Sequence, residues 1–514
     1  MSVTLSPTTS RNTGHPSITS TYMGNNPGTN DHHLPRRSLL GCLRLPPIAS
    51  PSVQLLGVAI ICLLCPGMFN ALNGLGGAGL VAPGPANDSN VALYACFAVV
   101  GFFGGFIVNA FGLKPSLFVG GVSYAVYASS FLGYKYIQNR GFLIFGGAFL
   151  GLCAGPFWAA QGAMLLSYPA EEQKGRSASW FWAIYNCGAA IGSLVTLCQE
   201  LRTNGGDTAS DSTYITIMAL MLLGAILSLF LSHPRQVRRS DGTRIQLEVT
   251  ISKSWYDEFK IFCETLRKDY FIALLFPMFL TSNWCYPYQF NTFNLTAFNI
   301  RTRALNNFLY WLAEILGALF VGHTLDDERF CRSHRAKGLV AGLILLTFGI
   351  WTGGYIWQRQ HHGDGVLQEA QKLDLHNAGY LEPMALYMAY GIFNSVWQNC
   401  IYWILGKFTS DTRTGAIYIG FYKGVQSAGG AISYRINNSD LSAINELLIC
   451  WIVLAVSLTM AAPVIIHKIR DDEDQHDATV ESGPREKIEE VVDAGGIPPE
   501  AVVVGEAMAE ELET

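Results

Sequence analysis

The chain has 514 residues, half of them hydrophobic and only 14% charged, with a formal net charge of −5. So little charge on so much apolar side chain excludes an ordinary soluble protein. The net charge says little about partners, because most of the acidity is local to the C-terminal tail.

Residues 1–50 are rich in Ser, Thr, Pro, Asn and His and lack the apolar core of a removable signal, so they read as a disordered cytosolic arm. A crossing helix needs about 20 apolar residues, and lipid leaves no open backbone unpaired, so the apolar runs beyond are predicted to be helices. Twelve are expected, near 52–73, 91–110, 115–133, 141–167, 177–198, 213–232, 269–293, 305–322, 337–357, 381–405, 414–434 and 443–467. The first six make one unit, 51–232, and the last six another, 269–467. Between them, 233–268 carries Arg235, Arg238, Arg239, Arg244, Lys253, Lys260, Arg267 and Lys268. It suits a cytosolic linker and is too short for a nucleic-acid module. The tail, 468–514, opens on Asp471-Asp472-Glu473-Asp474 and reads as solvated and disordered.

In the first span Pro66, Asn70 and Asn73 precede a Gly-rich exit from Gly74 to Gly79. Backbone loosened beside a cavity and simple fraying at the surface both remain open readings. Gly147, Gly151 and Gly155 in the fourth span step every fourth residue, a seam for close helix packing. Trp158 and Gln161 follow. A Gln inside a span meets a partner or lines a cavity, and both readings stand. At one constant offset Gln161 falls on Gln398, Arg176 on Arg413 and Tyr185 on Tyr422, so the second half echoes the first. The twelve cysteines sit mostly inside spans without paired spacing and read as packing residues.

The hinge Tyr168-Pro169-Ala170-Glu171-Glu172-Gln173-Lys174-Gly175-Arg176, with Trp182, Tyr185, Asn186 and Gly188 beyond it and Pro66-Gly67 and the Gly-rich exit before it, resembles the Unc-ninety-three-like branch of the major facilitator superfamily. The likeness is greatest to the fungal members and covers most of 52–467. The loop from Gly105 to Lys114-Pro115 has the spacing of the superfamily's signature, with Asn109 where that family usually has Asp and Ala110 where it has Arg. Its counterpart, Gly322 to Asp326-Asp327 followed by Arg332, Arg335 and Lys337, is fuller. The resemblance implies an all-α membrane protein of twelve transmembrane helices in two pseudo-symmetric six-helix halves around a central cavity. It implies cytosolic gates at Asn109, Lys114, Arg176, Asp326, Arg332 and Arg413.

Glu314 and Lys423 are the ionisable groups deepest in expected spans, where charge costs at least about 2.5 kcal/mol on insertion scales. Mutual pairing and binding of solute or proton both remain open. Under the resemblance Trp158, Gln161, Tyr185, Asn283, Asn394, Trp397 and Gln398 approach the cavity with them. Rings mixed with amides suit a neutral or weakly cationic organic solute better than a phosphate or dicarboxylate, although aromatic residues also gather at bilayer interfaces.

Most of the 34 Lys and Arg residues fall on the side of the linker and the termini, which orients both termini to the cytosol. The sequons at Asn87, Asn294 and Asn437 then face outward as N-glycosylation candidates. Composition does not distinguish the plasma membrane from an internal one. No phosphate-cradling loop, zinc helix or nucleophile elbow is present, and His361-His362 has no clear third ligand, so neither an enzyme nor a metal or cofactor is expected. The expectation is a secondary transporter of a small organic solute working by alternating access. The alternative is a non-transporting regulatory or trafficking subunit for another membrane protein.

Overall fold

Pro51 opens helix 1, because its fixed φ suits a first turn and Ser50 before it is extended. The helix runs Pro51–Gly74 and loosens into a π turn at Leu63–Gly67, where Pro66 has no N–H to give. The structure is a computed structural model and describes residues 38–39, 43–44, 47–169, 173–202, 208–239, 255–326, 329–361, 372–408 and 412–469. Helices 2 to 6 are Gly84–Phe111, Leu113–Ile137, Arg140–Ser167, Lys174–Glu200 and Asp211–Leu229. Helix 7 is broken into Tyr270–Leu274, Phe276–Leu280, a tight turn at Thr281–Asn283 and a π-helical Tyr288–Leu295. Helices 8 to 12 are Ile300–Asp326, Arg332–His361, Leu381–Phe408, Thr412–Asn437 and Ala443–Lys468.

Among the described residues nine helices are long and apolar enough to cross a membrane, and helices 7, 10 and 11 fall short. Helix 7 is cut into short pieces, and the other two carry amides and charge: Asn394, Gln398 and Asn399 in one, Lys423, Gln426 and Arg435 in the other. Asn394, Gln398, Asn399, Lys423 and Gln426 each meet a protein partner rather than lipid. The unit before Ile48 shows a two-residue antiparallel ladder, Ser38–Leu39 on Leu43–Arg44.

Each half has its own core. In the first, Phe69 meets Tyr127 at 5.1 Å between ring centroids and Tyr124 meets Phe157 at 5.7 Å. In the second, Phe293 meets Trp357 at 4.6 Å and Trp351 meets Tyr390 at 5.2 Å. Helix association inside lipid rests on close packing and hydrogen bonds, since lipid is as apolar as the side chains. The glycine seam of helix 4 shows how tight this is: a Cβ on Gly147 would lie 2.0 Å from the Ser89 carbonyl oxygen of helix 2, and one on Gly151 2.2 Å from that of Leu93. The halves meet where helix 2 packs on helix 11 and helix 5 on helix 8.

Two local expectations change. Helices 2 and 8 begin several residues earlier than hydropathy suggests, because Asn87, Asn90 and Arg303 are buried against protein instead of facing water. The linker, read from sequence as a loop, contains the helix Trp255–Lys268. Its apolar residues recur at helical spacing within a charged run, and Phe262 packs against Phe102 of helix 2 and Phe421 of helix 11.

Candidate functional site

Helix 1 leaves its last turn through Gly76, Gly77, Ala78 and Gly79, all with positive φ (75°, 54°, 49° and 82°). Glycine adopts that region without strain, so the chain can reverse sharply here. Absent side chains also let the second half approach: a Cβ on Gly74 would sit 1.9 Å from Asn307 Oδ1, and one on Gly76 2.2 Å from the Phe290 carbonyl oxygen. The exposed backbone groups of this turn are then taken by second-half side chains. Arg303 donates from Nε to the Leu75 carbonyl and from Nη2 to that of Gly76, both at 2.7 Å. Asn307 donates to the Ala71 carbonyl at 2.6 Å, Asn294 donates to that of Gly74 at 3.0 Å, and the Gly77 N–H donates to Asn291 Oδ1 at 2.7 Å. Beside them Asn87 donates to Asn437 Oδ1 at 2.7 Å, and Asn291 donates to Asn87 Oδ1 at 2.8 Å. Within the first half, Asn90 donates to Asn73 at 3.0 Å and the Tyr127 hydroxyl donates to Asn90 Oδ1 at 2.8 Å. This end of the molecule is a buried polar lattice across the two halves.

The loop before helix 10 is clamped to the same end. Asn299 caps helix 8 by accepting from the Thr302 N–H at 3.1 Å, and Arg301 grips Asp374 with two contacts of 3.0 Å. Partial burial alone would raise the Asp374 pKa; the Asn299 amide, the Leu375 N–H and the Arg301 guanidinium outweigh it and hold the carboxyl below its ordinary range.

Midway along the helices lies a different environment. Trp158 of helix 4 contacts Trp182 and Tyr185 of helix 5 at 6.4 and 5.6 Å between centroids, and the Tyr185 hydroxyl accepts from Asn70 at 3.1 Å. Trp182 reaches across to Tyr402 at 5.8 Å, and Tyr402 meets Tyr422 at 5.6 Å. Lys423 stands 5.4 Å from the Tyr402 centroid and 5.0 Å from that of Tyr422, and donates to Gln426 at 2.9 Å. Gln426 in turn donates to Asn283 at 2.8 Å. Glu314 of helix 8 is only 9% exposed, yet its Oε2 has no hydrogen-bond partner. Glu314 and Lys423 do not pair.

The other expected cavity residues divide. Gln398 is half-buried and donates to Tyr286 at 3.1 Å, while Gln161 is buried without a hydrogen bond. Trp397 is buried and donates to the Met278 carbonyl at 3.2 Å; Asn394 donates to Gln289 at 2.8 Å and to the Tyr310 hydroxyl. Those two belong to the packing of the second half. Of the expected gate residues, Asn109 and Arg176 are exposed, Lys114 is half-exposed, and none of these three forms a hydrogen bond or ion pair. Arg332 is exposed. The side chains of Asp326 and Arg413, like Glu171, Glu172 and the tail, lie outside the described residues. Among the described residues no group of three His, Cys, Asp or Glu is placed to hold a metal.

Arg303, Asn291, Asn307 and Gln426 escaped the sequence reading. A signal was there for helix 8: Arg303, Asn307, Tyr310 and Glu314 recur at i, i+4, i+7 and i+11, one polar stripe along a helix. Hydropathy had left Arg303 outside the span.

Residues 88–348 match the family model described as "Ion channel regulatory protein UNC-93". An UNC93-like protein of Schizosaccharomyces pombe is 45% identical over 439 residues, covering 85% of this chain and 86% of its own. UNC93-like protein 1 of Arabidopsis thaliana is 35% identical over 429 residues, covering 83% and 92%. Among solved structures a D-xylose-proton symporter superposes with a TM-score of 0.56 at 14% identity, over 82% of this chain and 98% of the symporter.

Proposed function

Because this chain belongs to the UNC-93 family and is a multi-pass integral membrane protein with the fold of major facilitator transporters, we propose that it moves a small organic solute across a membrane by alternating access. The observation that carries the reading is the contrast along the seam between halves. One end is cross-latched by Arg303, Asn307, Asn291 and Asn87, whereas the middle holds a carboxyl whose Oε2 has no partner, a lysine held by an amide and two rings, and a wall of rings. Charge inside a membrane is retained where it serves a pathway or a partner. With both termini cytosolic, the latched end faces outward, and Asn109, Lys114, Arg176, Asp326, Arg332 and Arg413 lie at the inner gate. Release of the outer lattice and closure of that gate are the two halves of the cycle.

A second reading rests on the family description itself: a regulatory or trafficking subunit for another membrane protein. One experiment separates them. Small molecules inside and outside cells lacking or overproducing the protein are compared without preselection, with a Glu314→Gln, Lys423→Gln double variant as control. A solute whose distribution follows the wild type and not the correctly localised variant supports transport. Unchanged solutes, with another membrane protein mislocalised and rescued by the double variant, support the regulatory reading instead.

A further inference from the structure

The charge on Glu314 has no partner inside the protein. Its side chain is nine-tenths buried, Oε2 meets no donor, and half-buried Lys423 turns to Gln426 instead. Lys423 spends one N–H on Gln426 and rests over the rings of Tyr402 and Tyr422, so its charge is already stabilised. A buried carboxylate left so carries a large desolvation cost, which is relieved when it takes up a proton or when a cation arrives. The groups around it suit a cation that carries an organic body. Helix 8 packs on helix 5, which brings Tyr185 with its ring against Trp158 and Trp182, and Tyr286 is stacked at 5.1 Å on Phe290, which meets Tyr310 and Trp311 of helix 8. Tryptophan faces attract ammonium groups through their quadrupole, and they cover apolar carbon equally well.

We infer that the site takes an organic amine in its ammonium form, the charged nitrogen neutralising Glu314 while the body lies against Trp158 and Trp182. This inference rests on the transport reading and narrows its solute to a class. A bare proton would satisfy the same carboxylate, but it has no use for the rings. The Tyr185 and Tyr286 hydroxyls each receive a hydrogen bond from an amide, and each oxygen keeps a second lone pair for an N–H.

The test uses the full-length protein purified in lipid nanodiscs. Tryptophan fluorescence and melting temperature are followed at fixed pH against phenethylammonium, tetraethylammonium, neutral 2-phenylethanol and anionic phenylacetate. The ammonium probes should bind, with at least about a tenfold loss in Glu314→Gln, partial retention in Glu314→Asp, and a several-fold loss in Trp182→Leu. Parent-like melting of the unliganded variants shows that they are folded. The inference is overturned if 2-phenylethanol binds as tightly as phenethylammonium, if Glu314→Gln binds ammonium undiminished, if no probe binds, or if the signal follows pH alone. Uptake into proteoliposomes separates the two claims. Glu314-independent uptake of neutral solutes sinks the ammonium assignment and leaves transport standing; ammonium binding with no solute movement does the reverse.

Discussion

Arg303 Nη2 donates to the Gly76 carbonyl at 2.7 Å, tying the start of helix 8 in one half to the turn that follows helix 1 in the other. Nε of the same guanidinium holds the neighbouring Leu75 carbonyl, so a fixed fork reads two successive peptide groups. The first half adds its own hold on the same turn, the Tyr214 hydroxyl of helix 6 donating to the Ala78 carbonyl at 2.8 Å.

Replacing Arg303 should therefore loosen the latched end before it unfolds the protein. Hydrogen bonds to a charged donor are worth about 1.5–3 kcal/mol each, so losing even one raises the open population about tenfold or more. A cysteine at Leu80, a buried position at the end of the turn, should react at least several-fold faster with an impermeant maleimide in Arg303→Gln than in the parent. Arg303→Lys should restore little, because a point charge lacks the fork. Equal labelling rates would show that the contact does not hold the end closed.

The glycines of the turn predict a sharper effect. Gly76→Ala meets both a positive φ and the Phe290 carbonyl, and should lower stability by about 1–3 kcal/mol, read as the melting temperature of purified protein. Gly162→Ala, in helix 4 with open space around it, should be neutral or stabilising by up to about 1 kcal/mol. If both variants behaved alike, the close approach at Gly76 would have no energetic weight.

The three sequons acquire a different meaning once folded. Asn87 and Asn294 are fully buried, and the Asn87, Asn294 and Asn437 amides are committed to Asn437, Gly74 and Glu446 respectively. A glycan on any of them would dismantle the lattice between halves. Protein from a eukaryotic membrane should keep its gel mobility after glycosidase digestion. A shift that vanishes in Asn87→Gln would contradict this.

Asp374 supplies a pH dependence. Its folded pKa lies below the unfolded value of about 3.9, so its contribution is fully present above that value and is lost as pH falls through the folded one. Thermal stability should drop on acidification below about pH 4, and the Asp374→Asn variant should lose less over the same interval. The pair is partly exposed, with Arg301 40% accessible, so the difference should stay within about 1 kcal/mol. An identical slope in both proteins would remove Asp374 from the account.

Much of this architecture follows from local features of the chain. Apolar runs of span length dictate helices, the stepped glycines of helix 4 dictate a close neighbour, and the echo of Tyr185 in Tyr422 reflects a repeated half. In the fold each of those hydroxyls meets the first helix of its own half: Tyr185 accepts from Asn70 of helix 1, and Tyr422 lies 2.8 Å from Ser282 of helix 7. The Gly74 to Gly79 exit had two readings from sequence, fraying or a functional turn. The fold decides for an ordered turn, because its backbone groups find partners on helices 7 and 8, far away in the chain.

By itself the sequence determined the membrane class, most of the helices and the two deep ions, since length, hydropathy and spacing act within a few turns of chain. Tertiary structure alone decided which polar groups satisfy one another. Trp397 and Asn394 went to packing, Asn87 and Asn437 to the seam, and Glu314 was left without a partner while Lys423 found rings and an amide. The reason is that a buried polar atom is governed by whatever lies within hydrogen-bonding reach, and in this chain that neighbour is often more than a hundred residues away.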